Sequence, residues 1–337
     1  MMIKEIYDNQ SSLCLFENVI VLFDNNIQLY TNDNPHNPLM FSTKNKNKII
    51  YQNNNEDDVF DYFIQDCSVI VSTYVSNNAG HVLGDEVYPV FHALNLLNLN
   101  LEETKLNIIT DNYYKFTYQF NLLNINSIIQ IKNLFRKKIK FKKLILGIEG
   151  LGYSSKFHPK YSLNFRYNIN KIQEYCAIKY NYDTNIKKNK IIFIDKDINT
   201  SKHKSVLFNT DELVNYTKAK LDNKYEVIKV SWKNLNLISQ LTLMNSTAIV
   251  VSLPGSDLMN CLFLSCNKTI IYFPRLVNNI ERKSNEVRIW FHKTHNCIYL
   301  DDPQYVKTFK ENKISYTVVN SEYLSEIILN QLSHLNT

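Results

Sequence analysis

The chain has 337 residues, 45% hydrophobic and 21% charged, which is enough apolar material for two ordinary domains or one large one. Only six glycines and no triplet period exclude collagen, and the apolar content excludes disorder of the whole chain. The formal charge is +6, but seven lysines and arginines fall within residues 132–143 without an acid, so the rest of the chain is close to neutral.

Residues 3–50 alternate short β-rich runs with turn clusters, which predicts small hairpins or a meander. Residues 44–58 are polar and read as a surface loop, and 67–74 as a short buried strand. A helix is expected over 80–99, with Leu83, Val87, Val90, Phe91, Leu94 and Leu97 as its apolar stripe. Pro89 lies inside it and cannot donate to the carbonyl of Asp85, which predicts a kink. A strand at 106–110, a helix at 113–123 and strands at 127–131 and 141–148 follow. After a helix at 162–180 and an Asn/Lys-rich linker at 181–190, the alternation restarts. Strands are expected at 191–195, 225–230, 247–251, 269–273 and 317–319, and helices at 210–221, 234–245, 255–265 and 321–335. Alternation of strand and helix predicts α/β architecture with parallel sheets. The two domains are expected at 1–180 and 190–337.

The 46 asparagines, roughly one residue in seven, stand beside high Ile, Lys and Tyr. These residues have A/T-rich codons, so the bias points to an A/T-rich genome, such as that of a giant virus, a protist or a bacterium. Asparagine motifs therefore arise here by chance. The N-terminal segment lacks the apolar core of a signal peptide, and no run reaches the ~18–20 apolar residues of a membrane span. The expectation is a cytoplasmic protein (host cytoplasm if viral) without a transmembrane segment. Six cysteines without metal-ligand spacing read as reduced, mostly buried thiols. The basic run has two readings, a nucleic-acid patch or a strand with an outward lysine face. Partial alternation in 138–146 favours the strand, and no nucleic-acid partner is expected.

Four segments carry candidate chemistry. The strand 248–252 runs through Leu253-Pro254-Gly255-Ser256-Asp257 into a helix, a turn that aims backbone N–H groups at an anion. Gly255 lets a diphosphate approach the backbone, and Ser256 caps the helix or bonds a phosphate. An ordinary capped β-turn-α connection fits that segment equally well. His81 and Asp85 are four apart on one helix face, with His92 further along, a pairing that suits a general base oriented by a carboxylate. A polar His beside an acid in a first helical turn is the bland alternative. Asp195-Lys196-Asp197 ends a strand in the pattern of a divalent-metal site, though Asp-x-Asp is common by chance. Arg275, Arg282, Lys283, Arg288, His292, Lys293 and His295 could close over a diphosphate or form a solvated loop.

Together these segments resemble glycosyltransferase family 61. The resemblance rests on Asn78, His81, Asp85 and Pro89 in the first half, and on Ser252, Gly255, Ser256, Leu258, Asn260, Phe263 and Pro274 in the second. Lys196 and Asn209 occupy the places of a basic residue ending a strand and an Asn ahead of a helix. The family usually has Arg at the first of these, and often His where Pro254 stands. The resemblance implies a GT-B-like α/β fold, two facing Rossmann-like domains with a small β-rich N-terminal extension. It implies an inverting, metal-independent transfer from a nucleotide-sugar, by analogy a UDP-sugar, to a glycan or glycoprotein acceptor. His81 is then the base and Asp85 its orienting partner or, in second place, the base itself. Asn78 lies on the acceptor side. Lys196, Asn209, Ser252, Gly255, Ser256, Asp257, Asn260 and Arg288 form the donor set, with Asn260 holding the loop or touching the nucleotide. The alternative is an inactive relative that binds glycans or assembles with active enzymes.

Overall fold

The computed structural model describes residues 1–7, 12–33, 49–53, 59–71, 78–111, 117–148, 165–184, 186–196, 205–221, 223–277, 280–282, 291–292 and 294–335. The chain divides into two units, Met1–Asn164 and Phe165–Thr337.

The first unit is built on one eight-stranded sheet. Its strands are β1 (Met2–Tyr7), β2 (Ser12–Phe23), β3 (Ile27–Tyr30), β4 (Ile49–Gln52), β5 (Tyr62–Val71), β6 (Leu106–Thr110), β7 (Ile125–Gln130) and β8 (Lys137–Leu146). The order β8-β5-β6-β7 is parallel throughout, with β5 first in sequence and β8 returning to its far side. That is the first half of a Rossmann order, and its topological switch lies between β5 and β8. The N-terminal hairpins are not a separate extension, because β2 pairs antiparallel with β8 over Cys14 to Phe23. The reason is burial: Phe16, Val21 and Phe23 on β2 share one core with Ile139 and Phe141 on β8. Each such side chain contributes roughly 1.5–3 kcal/mol when withdrawn from water. The polar stretch read as a loop at 44–58 contributes Ile49–Gln52 as β4, paired parallel with β3.

The basic run is β8 together with the turn before it. Ile139 and Phe141 are buried at 1% and 0% exposure, and the lysines alternate with them as the period-2 pattern requires. Lys137, Lys138 and Lys140 lie over the rings of Tyr62, Tyr30 and Phe60.

Two helical pieces follow β5, α1 (Ala79–His81) and α2 (Tyr88–Leu96), joined by a π-helical stretch over Val82–Val87. The expected irregularity around Pro89 is preceded by this wider turn, in which the Tyr88 N–H reaches the Leu83 carbonyl. Widening the turn absorbs the donor that proline lacks without breaking the helix. The helix expected at 113–123 is a 3₁₀ segment at Thr117–Leu122, and residues 112–116 lie outside the described residues.

The second unit opens with α3 (Phe165–Tyr180). The sequence reading carries the first domain to residue 180, whereas Gln173 on this helix donates its amide to the carbonyls of Leu262 and Leu264. The central sheet comprises β9 (Lys190–Ile194), β11 (Glu226–Val230), β12 (Thr247–Ser252), β13 (Thr269–Tyr272) and β16 (Asn296–Tyr299). These are all parallel in the order β11-β9-β12-β13-β16. Numbered within the sheet this is 2-1-3-4-5, the flavodoxin-like doubly wound order, with its switch between β9 and β12. The helices α4 (Thr210–Lys220), α5 (Leu237–Asn245) and α6 (Ser321–Leu335) belong to the same unit. The core joins Ile191 and Phe193 of β9 with Ile249 and Val251 of β12 and with Leu324 and Ile328 of α6. A second sheet, β10 (Ser205–Leu207), β17 (Val306–Glu311) and β18 (Ile314–Val319), and a hairpin of β14 (Arg275–Val277) and β15 (Ile280–Arg282) complete it.

All six cysteines are free thiols, four of them buried. Burial pushes the Cys14, Cys67 and Cys176 thiols up to about 12, which keeps them protonated and inert. Among the described residues, no helix is long and apolar enough to cross a membrane.

Candidate active site

Two clusters hold the residues with chemistry, one in each unit. The second lies where the strand order of its sheet reverses, just past the carboxyl ends of β9 and β12. Backbone groups and helix starts converge there, and α/β sheets bind ligands at such points.

In the first unit Asn78 follows the end of β5 and caps α1. Its Oδ1 accepts from the N–H groups of Gly80 at 3.0 Å and His81 at 3.4 Å. The cap fixes the first turn and with it the backbone that carries His81. His81 Nδ1 lies 2.7 Å from Asp85 Oδ2. The imidazole is 26% exposed and the carboxylate 5% exposed, so the acid is buried beneath a ring that still reaches solvent. A neutral ring that donates its Nδ1 proton to this carboxylate has Nε2 as its acceptor nitrogen. His92 is almost fully buried and stacks on Tyr88 with ring centres 6.0 Å apart. It is a packing residue of α2.

In the second unit Lys196 follows β9, and Gly255 follows β12, across the switch point. Gly255 has φ +157°, and a β-carbon placed on it would lie 3.0 Å from Lys196 Nζ and 3.4 Å from an Arg275 guanidinium nitrogen. Two cations therefore close on a backbone that carries no side chain. Lys196 Nζ is also 3.6 Å from Asp257 Oδ2. Burial lowers the Lys196 pKa from its ordinary value; Asp257 opposes that shift and Arg275 adds to it.

The helix expected at 255–265 is a 3₁₀ helix over Ser256–Phe263, with Gly255 at its N-cap position and Ser256 and Asp257 as its first residues. Its geometry is held from outside. Trp232 Nε1 donates to the Asp257 carbonyl at 3.1 Å. The Gln240 amide donates to the carbonyls of Trp232 and Leu235, and Asn260 Nδ2 donates to Gln240 Oε1 at 3.3 Å. Asn260 thus ties this segment to α5. Ser252 is buried and donates to the Leu253 carbonyl.

Asn209 bonds the backbone of β18. Its amide nitrogen donates to the Val319 carbonyl at 2.8 Å and its oxygen accepts from the Val319 N–H at 3.2 Å. It ties the start of α4 to β18. Arg288 and Asp197 lie outside the described residues. Asp195 pairs with Lys229 at 3.7 Å, and Lys229 also pairs with Asp211. Among the described residues no three of His, Cys, Asp or Glu gather to hold a metal ion.

Sequence reasoning missed Trp232 and Gln240, and offered Arg275 only as one of seven basic residues that could close over a diphosphate or form a solvated loop. The signal for Trp232 was its rarity, since it is one of two tryptophans and stands just past a strand end. Nothing local marks Gln240.

The family model for glycosyltransferase 61 matches residues 80–271. The matched span contains His81 and Asp85 as well as Lys196, Ser252 and Gly255–Asn260, while Asn78, Arg275 and Arg288 fall outside it. No curated protein matches the chain. The match covers more than half of the residues and includes the main residues of both clusters, so the chain belongs to glycosyltransferase family 61.

Proposed function

We propose that the protein is an inverting glycosyltransferase that moves a sugar from a nucleoside-diphosphate donor, UDP by family analogy, to a hydroxyl of a glycan or glycoprotein. The observation that carries this reading is the 2.7 Å contact of His81 Nδ1 with Asp85 in a chain of this family. Nε2 of His81 takes the proton of the acceptor hydroxyl, and Asp85 stabilises the imidazolium that forms. The acceptor oxygen attacks the anomeric carbon on the face opposite the leaving group, so one bond forms as the bond to the diphosphate breaks. The nucleoside diphosphate leaves with the electron pair. Its developing charge is met by Lys196 and by the backbone at Gly255–Ser256. Because cations already supply this charge stabilisation, turnover is expected to persist in EDTA. Asn78 orients the base through the cap. Asn209, Ser252 and Asn260 support the donor loop and its sheet rather than touch the donor.

A screen of nucleotide-sugars for thermal stabilisation and for hydrolysis, run with and without EDTA, tests the donor half. His81→Ala tests the other half. It should cut turnover by about 10²- to 10⁴-fold, the range for a positioned general base, with little change in donor affinity. Unchanged turnover removes His81 from the role. A chain that binds no nucleotide-sugar but does bind glycans is an inactive relative.

A further inference from the structure

We propose that Arg275 is a second diphosphate-binding residue, gripping the donor together with Lys196 above Gly255. The inference rests on the donor reading above and adds to it a residue beyond the matched family span.

Three observations support it. The first is convergence: an Arg275 guanidinium nitrogen and Lys196 Nζ approach the same point above the Gly255 α-carbon, at 3.4 and 3.0 Å from where a β-carbon would stand. A diphosphate laid against that backbone meets both a point charge and a planar fork. The fork can bind two phosphate oxygens at once, which an ammonium cannot. The second is pre-organisation. The backbone on both sides of Arg275 is pinned by hydroxyls of the small sheet. Thr317 Oγ1 donates to the Pro274 carbonyl at 3.0 Å, and Ser315 and Ser205 donate to the Leu276 carbonyl at 3.0 and 3.4 Å. A cation anchored in this way loses little freedom on binding. The third is burial: Arg275 is 8% exposed, so its charge acts with little screening by water. The mutual effect of the two cations agrees, since Arg275 is one cause of the lowered Lys196 pKa, and an anion between them relieves that repulsion.

The test is calorimetric titration of the full chain and of Arg275→Gln and Arg275→Lys with UDP, GDP, UMP and inorganic pyrophosphate. The expected result is that wild type prefers UDP or GDP to UMP. Arg275→Gln should lose tenfold or more in affinity for the diphosphates and for pyrophosphate, with a smaller loss for UMP. Arg275→Lys should keep part of the affinity but lose preference for the diphosphate over UMP, and it serves as the test if the Gln variant does not fold. Diphosphate affinity and preference equal to wild type in a folded variant overturns the role of Arg275 and leaves the donor reading standing. A wild-type chain that takes up neither nucleoside diphosphates nor pyrophosphate overturns both.

Discussion

Lys196 and Gly255 face each other across the switch between β9 and β12, with the ammonium 3.0 Å from where a β-carbon on the glycine would sit. The glycine is required twice there, once for φ +157° and once for the space above its α-carbon. Gly255→Ala should therefore fail in two separable ways. The backbone strain costs on the order of 1–3 kcal/mol. At about 2–4 °C per kcal/mol for a unit the size of Phe165–Thr337, its melting should fall by several degrees. The methyl also pushes the lysine away, so diphosphate affinity should drop further than the melting shift alone explains. Full affinity in the alanine variant would show that the donor does not approach this backbone.

The His81–Asp85 pair yields a sharper test than removal of the histidine. Asp85→Asn keeps the size and the hydrogen-bonding reach but can donate to Nδ1. That favours the tautomer with its proton on Nε2, the wrong one for a base. Turnover should fall by about 10²-fold or more while donor affinity stays. Asp85→Glu should restore part of the rate. An Asn variant as fast as wild type would mean that the contact is structural.

The strands and helices that carry both clusters were legible because each is a short apolar run broken by a turn residue. The sites were legible where chemistry is local: His81 and Asp85 are four apart on one helix, and Gly255 sits at a strand end. What could not be read is what depends on distant partners. Asn209 looks like a ligand in sequence, yet its amide is committed to Val319, more than a hundred residues away. Arg275 reads in sequence as a cation over a diphosphate or as part of a solvated loop alike, and the bonds of Thr317 and Ser315 that pin the backbone beside it come from distant residues. The hairpins at the start read as an appendage because the strand they join, β8, comes more than a hundred residues later. The π-helical stretch was anticipated only as a kink, since a proline announces that a donor is missing but not how the backbone adjusts.

Asn78 separates capping from acceptor contact. If it works through the cap, Asn78→Asp should be nearly neutral, because an aspartate accepts the same N–H groups. Asn78→Ala should destabilise by roughly 0.5–2 kcal/mol and lower turnover through a loosened His81. Should Asn78→Asp instead raise the acceptor KM sharply with unchanged melting, the side chain touches the acceptor directly. Thermal melts and acceptor titrations of the two variants decide this.

Trp232 is predicted to act on donor binding without touching the donor. Its indole N–H holds the Asp257 carbonyl at the start of the 3₁₀ turn. Trp232→Phe keeps most of the apolar ring but loses that bond, a net cost of about 0.5–1.5 kcal/mol. The donor KM should rise several-fold with kcat nearly intact, because the loop wanders while His81 is unaffected. A fall in kcat at constant KM would contradict this placement.

The depressed pKa of Lys196 makes a prediction with two opposite signs. Burial, helped by Arg275 and opposed by Asp257, lowers the native pKa below that of the unfolded chain. Below the depressed native value both states carry the proton, and the cost of the buried charge is paid in full. As pH rises between the native and the unfolded values, the unfolded chain binds more protons, so this group's contribution to stability increases. Diphosphate affinity should move the other way over the same window, because the ammonium that meets the anion is lost. Lys196→Arg stays charged throughout. Relative to it, wild type should gain stability and lose diphosphate affinity as pH rises through the alkaline range. Melting curves and titrations of the two proteins, taken as differences, cancel the other groups that titrate there. Parallel pH profiles for the two proteins would place Lys196 outside the diphosphate site.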